Sequence, residues 1–339
     1  MIFSSCSTQF DVYDPPQEIY AAYSILNPSD TVQYLRIARV YQVAGDALQY
    51  GKENDLSAKG LTVKISGGGK TWTATEMDSV PKDTGLFFPF HTLYVFHTNG
   101  SPGNDTLISG TEYTLDITRA DSALHITGKT TIPTGLRISD KLKPGTSGIK
   151  CLYKADLEKK YRIMWNKGSN SYGFELKVKF DYVEDGATNK TVIWGPTQVI
   201  SANSGCVGSA SEICYQFEKY ELIGYWQNFI IPGSGHTFQY TESPECLVDN
   251  QVDLLPKVVT FEVTAIDLQL GTYMLVNNPR YAEPYGSKPE YTNLGGNVAM
   301  VGIFGSRISD KKYTLLNDCT EFLLGLDNTM TLPLGCTPP

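Results

Sequence analysis

The chain has 339 residues, 41% of them apolar and 19% charged, which suits two globular domains, each with its own core, rather than a disordered chain. Its net charge of −8 argues against nucleic acid as a partner, because phosphate binding needs a basic patch and none is visible. Twenty-one tyrosines and 31 glycines favour pleated surfaces and turns, and no run of apolar residues is long enough for a transmembrane helix.

At the start of the chain, Met1-Ile2-Phe3-Ser4-Ser5-Cys6 sets an apolar residue and two small residues before a cysteine. This resembles the lipobox cut by lipoprotein signal peptidase, and it makes Cys6 the expected lipidation site. Only the tail of an apolar signal region precedes it, so a longer leader is expected upstream. The alternative is a cytosolic protein whose Cys6 falls there by chance. Residues 7–17, with Pro15-Pro16, read as an extended tether, which makes 1–17 an anchor and tether.

Residues 18–135 read as a sandwich. Seven β-rich runs (Glu18–Leu26, Val32–Val43, Leu61–Ser66, Lys70–Glu76, Thr92–Phe96, Glu112–Thr118, Leu124–Thr131) alternate with turn signals such as Asn27-Pro28-Ser29, Gly67-Gly68-Gly69 and Asn99-Gly100. Short strands at this spacing predict an immunoglobulin-like β-sandwich. Residues 136–150 lack periodicity and read as a linker.

Residues 151–339 are expected to form a second β-rich domain with one or two packed helices, giving an all-β protein. From Tyr172 to Val183 an apolar residue follows every polar one, placing one face on a core. Lys257–Ile266 repeats the pattern, and Val298–Phe304 reads as a short buried strand. Ile213, Phe217, Tyr220, Ile223 and Trp226 recur at spacings of three and four, which predicts a helix capped by Ser211. A second short helix is expected over Thr320–Leu326.

Seven cysteines are an odd number for an exported protein, and acylation of Cys6 leaves six: Cys151, Cys206, Cys214, Cys246, Cys319 and Cys336. Nearest-neighbour pairing joins Cys206 to Cys214 and Cys319 to Cys336, leaving Cys151 with Cys246. The alternative is six buried free thiols.

No motif carries catalysis. Gly67-Gly68-Gly69-Lys70-Thr71 lacks the first glycine of a phosphate-binding loop and lies between strands, so it reads as a hairpin turn. Ser234 beside His236 does not match a nucleophile elbow, and His91, His97 and His125 fall on or beside strands. No metal-binding spacing occurs, and no cofactor is expected. The better binding candidates are aromatic: Phe87, Phe88 and Phe90 in one loop, and Tyr281, Tyr285 and Tyr291 among prolines in another. Exposed rings offer contact area to a glycan, peptide or protein, whereas the alternative folds them back over the ends of the core.

Leu107-Ile108-Ser109-Gly110-Thr111-Glu112-Tyr113-Thr114-Leu115-Asp116-Ile117, then Thr130-Thr131-Ile132-Pro133, resembles the closing strands of a domain-of-unknown-function family of Bacteroidota outer-membrane lipoproteins. Pro289–Leu294 leading into Val301–Arg307 resembles that family's other recurrent phrase, with Leu294-Gly295-Gly296-Asn297 where relatives tend to read Asn-Gly. Members are often encoded beside TonB-dependent transporters, which implies lipid anchorage at the outer membrane and an accessory role there, and carries over no catalytic residue. Thr31, Ser79, Thr106 and Ser122 each follow Asp and precede an apolar residue, a pattern similar to the O-glycosylation sites of such exported proteins; Asp-Ser/Thr is also common in turns. The expectation is a non-enzymatic binding or accessory lipoprotein. The rival is an adhesion protein with a spacer sandwich and a protein-binding C-terminal head.

Overall fold

The structure is a computed structural model that describes residues 19–40, 46–98, 106–139, 160–184, 188–195, 209–229, 238–239, 259–277 and 291–314, apart from positions 83, 84, 86 and 122. It is all-β with a few helices, and divides into two compact units, Met1–Thr131 with Thr272–Ser306, and Ile132–Gly271 with Arg307–Pro339.

The first unit is the predicted sandwich. One sheet joins β1 (Ile19–Leu26) and β2 (Val32–Val40) to β6 (Phe90–His97) and β5 (Thr75–Pro81). The other runs from β4 (Lys70–Thr73) through β3 (Leu61–Gly67) and β7 (Glu112–Arg119) to β8 (His125–Thr131). This division of strands is that of an immunoglobulin-like domain. Tyr113, near the start of β7, accepts the backbone N–H of Ile108 at 2.8 Å, the tyrosine corner of such sandwiches. Gly68 and Gly69, at φ +59° and +76°, make the tight β3–β4 hairpin, the turn expected at Gly67–Thr71. Two local readings change. Lys70–Glu76 is two strands: Ala74 still donates to the Val63 carbonyl at 2.9 Å, after which Thr75 crosses to the other sheet opposite Val95. A short helix, α1 (Ala47–Glu53), starts on Asp46, whose carboxylate accepts from Leu48 N and Gln49 N.

Strands from far along the chain complete this unit. β16 (Leu294–Gly296) adds to β8, and residues 299–306 of β17 (Ala299–Thr314) run parallel to β1, from Ile19 opposite Ala299 to Leu26 opposite Ser306. Asn293 fastens both: its Nδ2 donates to the carbonyls of Lys129 (2.8 Å) and Phe304 (2.7 Å), while its Oδ1 accepts from Phe304 N at 3.0 Å. Phe304 is wholly buried, and Thr130 meets Ser306 hydroxyl to hydroxyl at 2.9 Å between the two sheets. Gly302 stands at φ +114°, where a Cβ would also collide with the Ala22 carbonyl oxygen, so glycine is what admits β17 beside β1. The contiguous partition is therefore corrected: residues 291–306, assigned by sequence to the second domain, belong to the first.

In the second unit β11 (Gly173–Glu184) carries the predicted alternation, with Phe174, Leu176, Val178 and Phe180 fully buried. β12 (Thr188–Trp194), β14 (Phe238–Gln239) and β15 (Val259–Ile266) pair with β11, and residues 307–314 of β17 pair with β15. Glu262 is clasped there by Lys179 and Lys311. A smaller sheet joins β9 (Arg137–Ile138), β10 (Lys160–Asn166) and β13 (Glu212–Glu218). α2 (Lys219–Gln227) buries Leu222 and Trp226 in the core, the latter 5.2 Å from Phe180 between ring centroids. α3 (Leu268–Val276), whose residues from Thr272 on belong to the first unit, starts on Asp267, whose carboxylate accepts from Leu270 N at 2.9 Å.

Three readings of this half are corrected. The helix expected from Ser211 begins only at Lys219, because residues 212–218 pair with β10 as a strand. Ile213 and Phe217 are four apart, an even spacing that lines one face of a strand as well as of a helix. The strand Val298–Phe304 is the part of a longer one that falls in the first unit, and within the linker 136–150 Ile138 is buried and paired to Trp165. The Thr320–Leu326 helix and the Asn99-Gly100 turn lie outside the described residues.

If β17 completes the sandwich, Phe304→Ala should destabilise the protein by about 3–5 kcal/mol, the usual cost of emptying a buried aromatic site. Denaturant unfolding followed by fluorescence would measure it; a loss within about 0.5 kcal/mol, as at surface positions, would contradict that role.

Candidate functional site

One end of the sandwich gathers the connections β2–β3, β5–β6 and β7–β8, the end at which immunoglobulin-type domains present binding loops. The register fixes which end this is: Ile19 opposite Val40 in the first sheet, and Leu61 opposite Arg119 in the second. Between the sheets here lies a cavity of about 190 Å³ lined by Tyr20, Arg39, Asp55, Ser57, Lys59 and Arg119 with Ala58 and Leu61.

The cavity is built by the stretch after α1. Residues 55–58 return alongside β2, with Ala58 N donating to the Ile37 carbonyl (3.0 Å) and Arg39 N to the Leu56 carbonyl (2.7 Å). Tyr94 reaches up from the core to donate its hydroxyl to the Ala58 carbonyl at 2.8 Å, and burial raises the pKa of that hydroxyl. Lys59 bridges Asp55 (3.1 Å) and Asp78 (2.8 Å), while Arg119 holds Asp121 (3.1 Å) and donates to the Tyr20 hydroxyl (3.3 Å). Burial pushes Asp55 upward, but hydrogen bonds from Ser57 and Lys59 outweigh it and leave the carboxyl below its usual range. Asp78 is held at about 2 by hydrogen bonds from Lys59, the Thr92 hydroxyl and Ser79 N. The result is a polar recess with fixed donors and acceptors.

Aromatic residues stand beside this recess at the same end. Phe87 is 58% exposed and Phe90 42%; Phe88 is half-buried and meets Phe90 edge to face at 6.2 Å. The loop is pinned by Phe88 N donating to the Gly51 carbonyl and by Lys82 Nζ donating to the Phe88 carbonyl at 2.8 Å. α1 adds Leu48, 48% exposed, and Tyr50, 37% exposed. His91, next on β6, is half-buried, and burial followed by repulsion from Arg36 and Lys82 lowers its pKa.

The other sequence candidates fall elsewhere. Tyr291 is half-buried ahead of β16, toward the opposite end of the unit, while Tyr281 and Tyr285 lie outside the described residues. Thr31, Ser79 and Thr106 are exposed, Ser79 at φ +57° where β5 bulges; Ser122 lies outside the described residues. Cys214 is buried in β13 and disulfide-bonded, with its partner, like Cys6, Cys151, Cys206, Cys246, Cys319 and Cys336, outside the described residues. His125 faces Asp116 at 3.6 Å, and no group of three metal-ligating side chains occurs among the described residues. Among the described residues no helix is long and apolar enough to cross a membrane. Tyr20, Arg39, Asp55, Lys59 and Arg119 escaped sequence reading because nothing in their spacing links them.

No protein-family model matches the chain, and no curated protein matches it.

Asp78 ties the stability of this end to acid. Its folded value near 2 lies below the ordinary 3.8, so its contribution to stability is complete above pH 3.8 and is lost as pH falls toward 2. Asp78→Asn should lower the urea midpoint at pH 7 and flatten the acid limb between those values. Parallel acid limbs in variant and parent would show that the Lys59–Asp78 contact does not hold in solution.

Proposed function

We propose that the protein is a non-enzymatic cell-envelope lipoprotein, held to the outer membrane through Cys6, that serves as a binding or accessory module for a TonB-dependent transport system. The observation that carries this reading is the disulfide at Cys214, since structural disulfides persist in oxidising compartments outside the cytosol. It agrees with the lipobox-like sequence at Cys6, while the transporter role draws on the resemblance to the Bacteroidota lipoprotein family.

The loop end supports binding rather than proton transfer. Asp55 and Asp78 stay ionised well into acid, and Lys59 and Arg119 are committed to carboxylates, so these groups suit orienting a polar ligand such as a glycan or peptide terminus. A second reading, a surface adhesion protein, draws on the exposed Phe87 and Phe90; it would move the protein-binding surface from the C-terminal head to the sandwich.

Two measurements test the envelope reading. Expressed in a Gram-negative host behind a complete signal, the protein should fractionate with membranes and Cys6→Ala should release it; a Cys6→Ala protein that stays membrane-bound overturns the anchor. Alkylation without reduction should leave Cys214 unmodified, and Cys214→Ala should cost about 2–5 kcal/mol, as for other exported domains. Full alkylation of Cys214 in the native protein would remove the argument for export.

A further inference from the structure

We infer that the loop end of the sandwich, through Leu48, Tyr50, Phe87 and Phe90, docks on the surface of the bilayer that holds the lipid anchor. This rests on the reading of Cys6 as that anchor and specifies which face of the protein meets the membrane. Three observations within the first unit carry it.

The first is polarity. The chain enters the sandwich at Ile19, which lies opposite Val40 at the loop end. It leaves at the other end: Thr131 closes β8 opposite Glu112, and Ser306 ends its pairing with β1 beside Leu26, where it meets Thr130. Twelve residues lie between Cys6 and Ile19, and those thirteen steps of chain reach about 45 Å at most. A tether of that length confines the loop end near the lipid at high effective concentration, so a weak surface contact suffices to dock it.

The second is composition. Four large apolar side chains are exposed at this end, with Phe87 lying against Gly51 of the helix that carries Leu48 and Tyr50. Tyr50, an apolar ring with a polar hydroxyl, suits the boundary between headgroups and acyl chains, and Leu48, Phe87 and Phe90 offer apolar surface to insert. The third is charge. Among the described residues near these side chains, Arg36, Lys52 and Lys82 are offset by Asp46, Glu53 and Asp55, so neither sign dominates. Insertion of apolar surface, rather than attraction to anionic lipid, is then the driving term, and a zwitterionic bilayer serves as the partner.

The experiment uses the acylated full chain in phosphatidylcholine vesicles with brominated acyl chains, comparing Phe87→Trp with Ile108→Trp. Ile108 is exposed as well, but it lies at the opposite end, beside Tyr113 and Gly68. Beyond the four native tryptophans, Phe87→Trp should show a blue-shifted emission quenched by bromine, and Ile108→Trp neither. Equal quenching at both positions, or none at Phe87→Trp, overturns the inference. So does a blue shift of Phe87→Trp that grows with protein concentration without vesicles, which would assign the surface to a second copy of the chain. The two readings fail separately: release by Cys6→Ala with no quenching at Phe87→Trp keeps the anchor and removes the docking face. Quenching at Phe87→Trp in a protein that Cys6→Ala does not release does the reverse.

Discussion

The structure depends on the pairing of β17. Its first eight residues lie parallel to β1 and its last eight antiparallel to β15, so one strand supplies an element to each unit. Parallel pairing between Ile19 and Ala299 cannot arise from a hairpin; it needs nearly the whole chain to have been made. Until then β1 has a bare edge and the sandwich lacks Phe304, a combination that leaves apolar surface and unpaired backbone open to wrong partners. Contacts this distant in sequence are also slow to form, because loop closure must precede any gain from packing. Asn293 eases that step by satisfying backbone groups of both β8 and β17 with one side chain. Gly302 removes the steric barrier to the approach.

With its far end closed by Asn293, Phe304 and the Thr130–Ser306 contact, the sandwich carries the β2–β3, β5–β6 and β7–β8 connections at the other end. The polar recess there is stabilised by mutual neutralisation: Lys59 and Arg119 each hold a carboxylate, and the Tyr94 hydroxyl ties the returning 55–58 segment to the core. These surface pairs individually contribute little to folding. Their effect is to fix the orientation of donors and acceptors around a cavity. Exposed Phe87 and Phe90 are a different case, because leaving about half of each ring in water forgoes roughly half of the ~1.5–3 kcal/mol that full burial of such a side chain offers. A hydrogen-bonded loop that holds them outward is better explained by what it meets than by the fold.

Much of the architecture was legible from local pattern. The seven runs before residue 131 gave the sandwich, and the alternation from Phe174 to Tyr182 gave the central strand of the second unit, since a period of two has one buried solution. Asp46 ahead of Ala47-Leu48 is a cap signal, but the helix it starts is too short to show a period. The spacing of the Ile213–Trp226 stretch fits two periods, and only the presence of β10 alongside residues 212–218 decides between them. Phe87, Phe88 and Phe90 were legible as an unusually apolar loop, but whether the rings fold inward is set by how much room the core leaves.

By itself, then, the sequence determined the all-β class, the sandwich, the position of Cys6 and the aromatic loop, each of which follows from neighbours a few residues apart. Only the tertiary structure decided that residues 291–306 belong to the first unit, that β17 serves both units, and that Tyr20, Arg39, Asp55, Lys59 and Arg119 face one cavity. The reason is physical: a strand's edge accepts any partner of compatible pleat, so its choice rests on side chains that meet only in the folded core, here Phe304, Gly302 and Asn293.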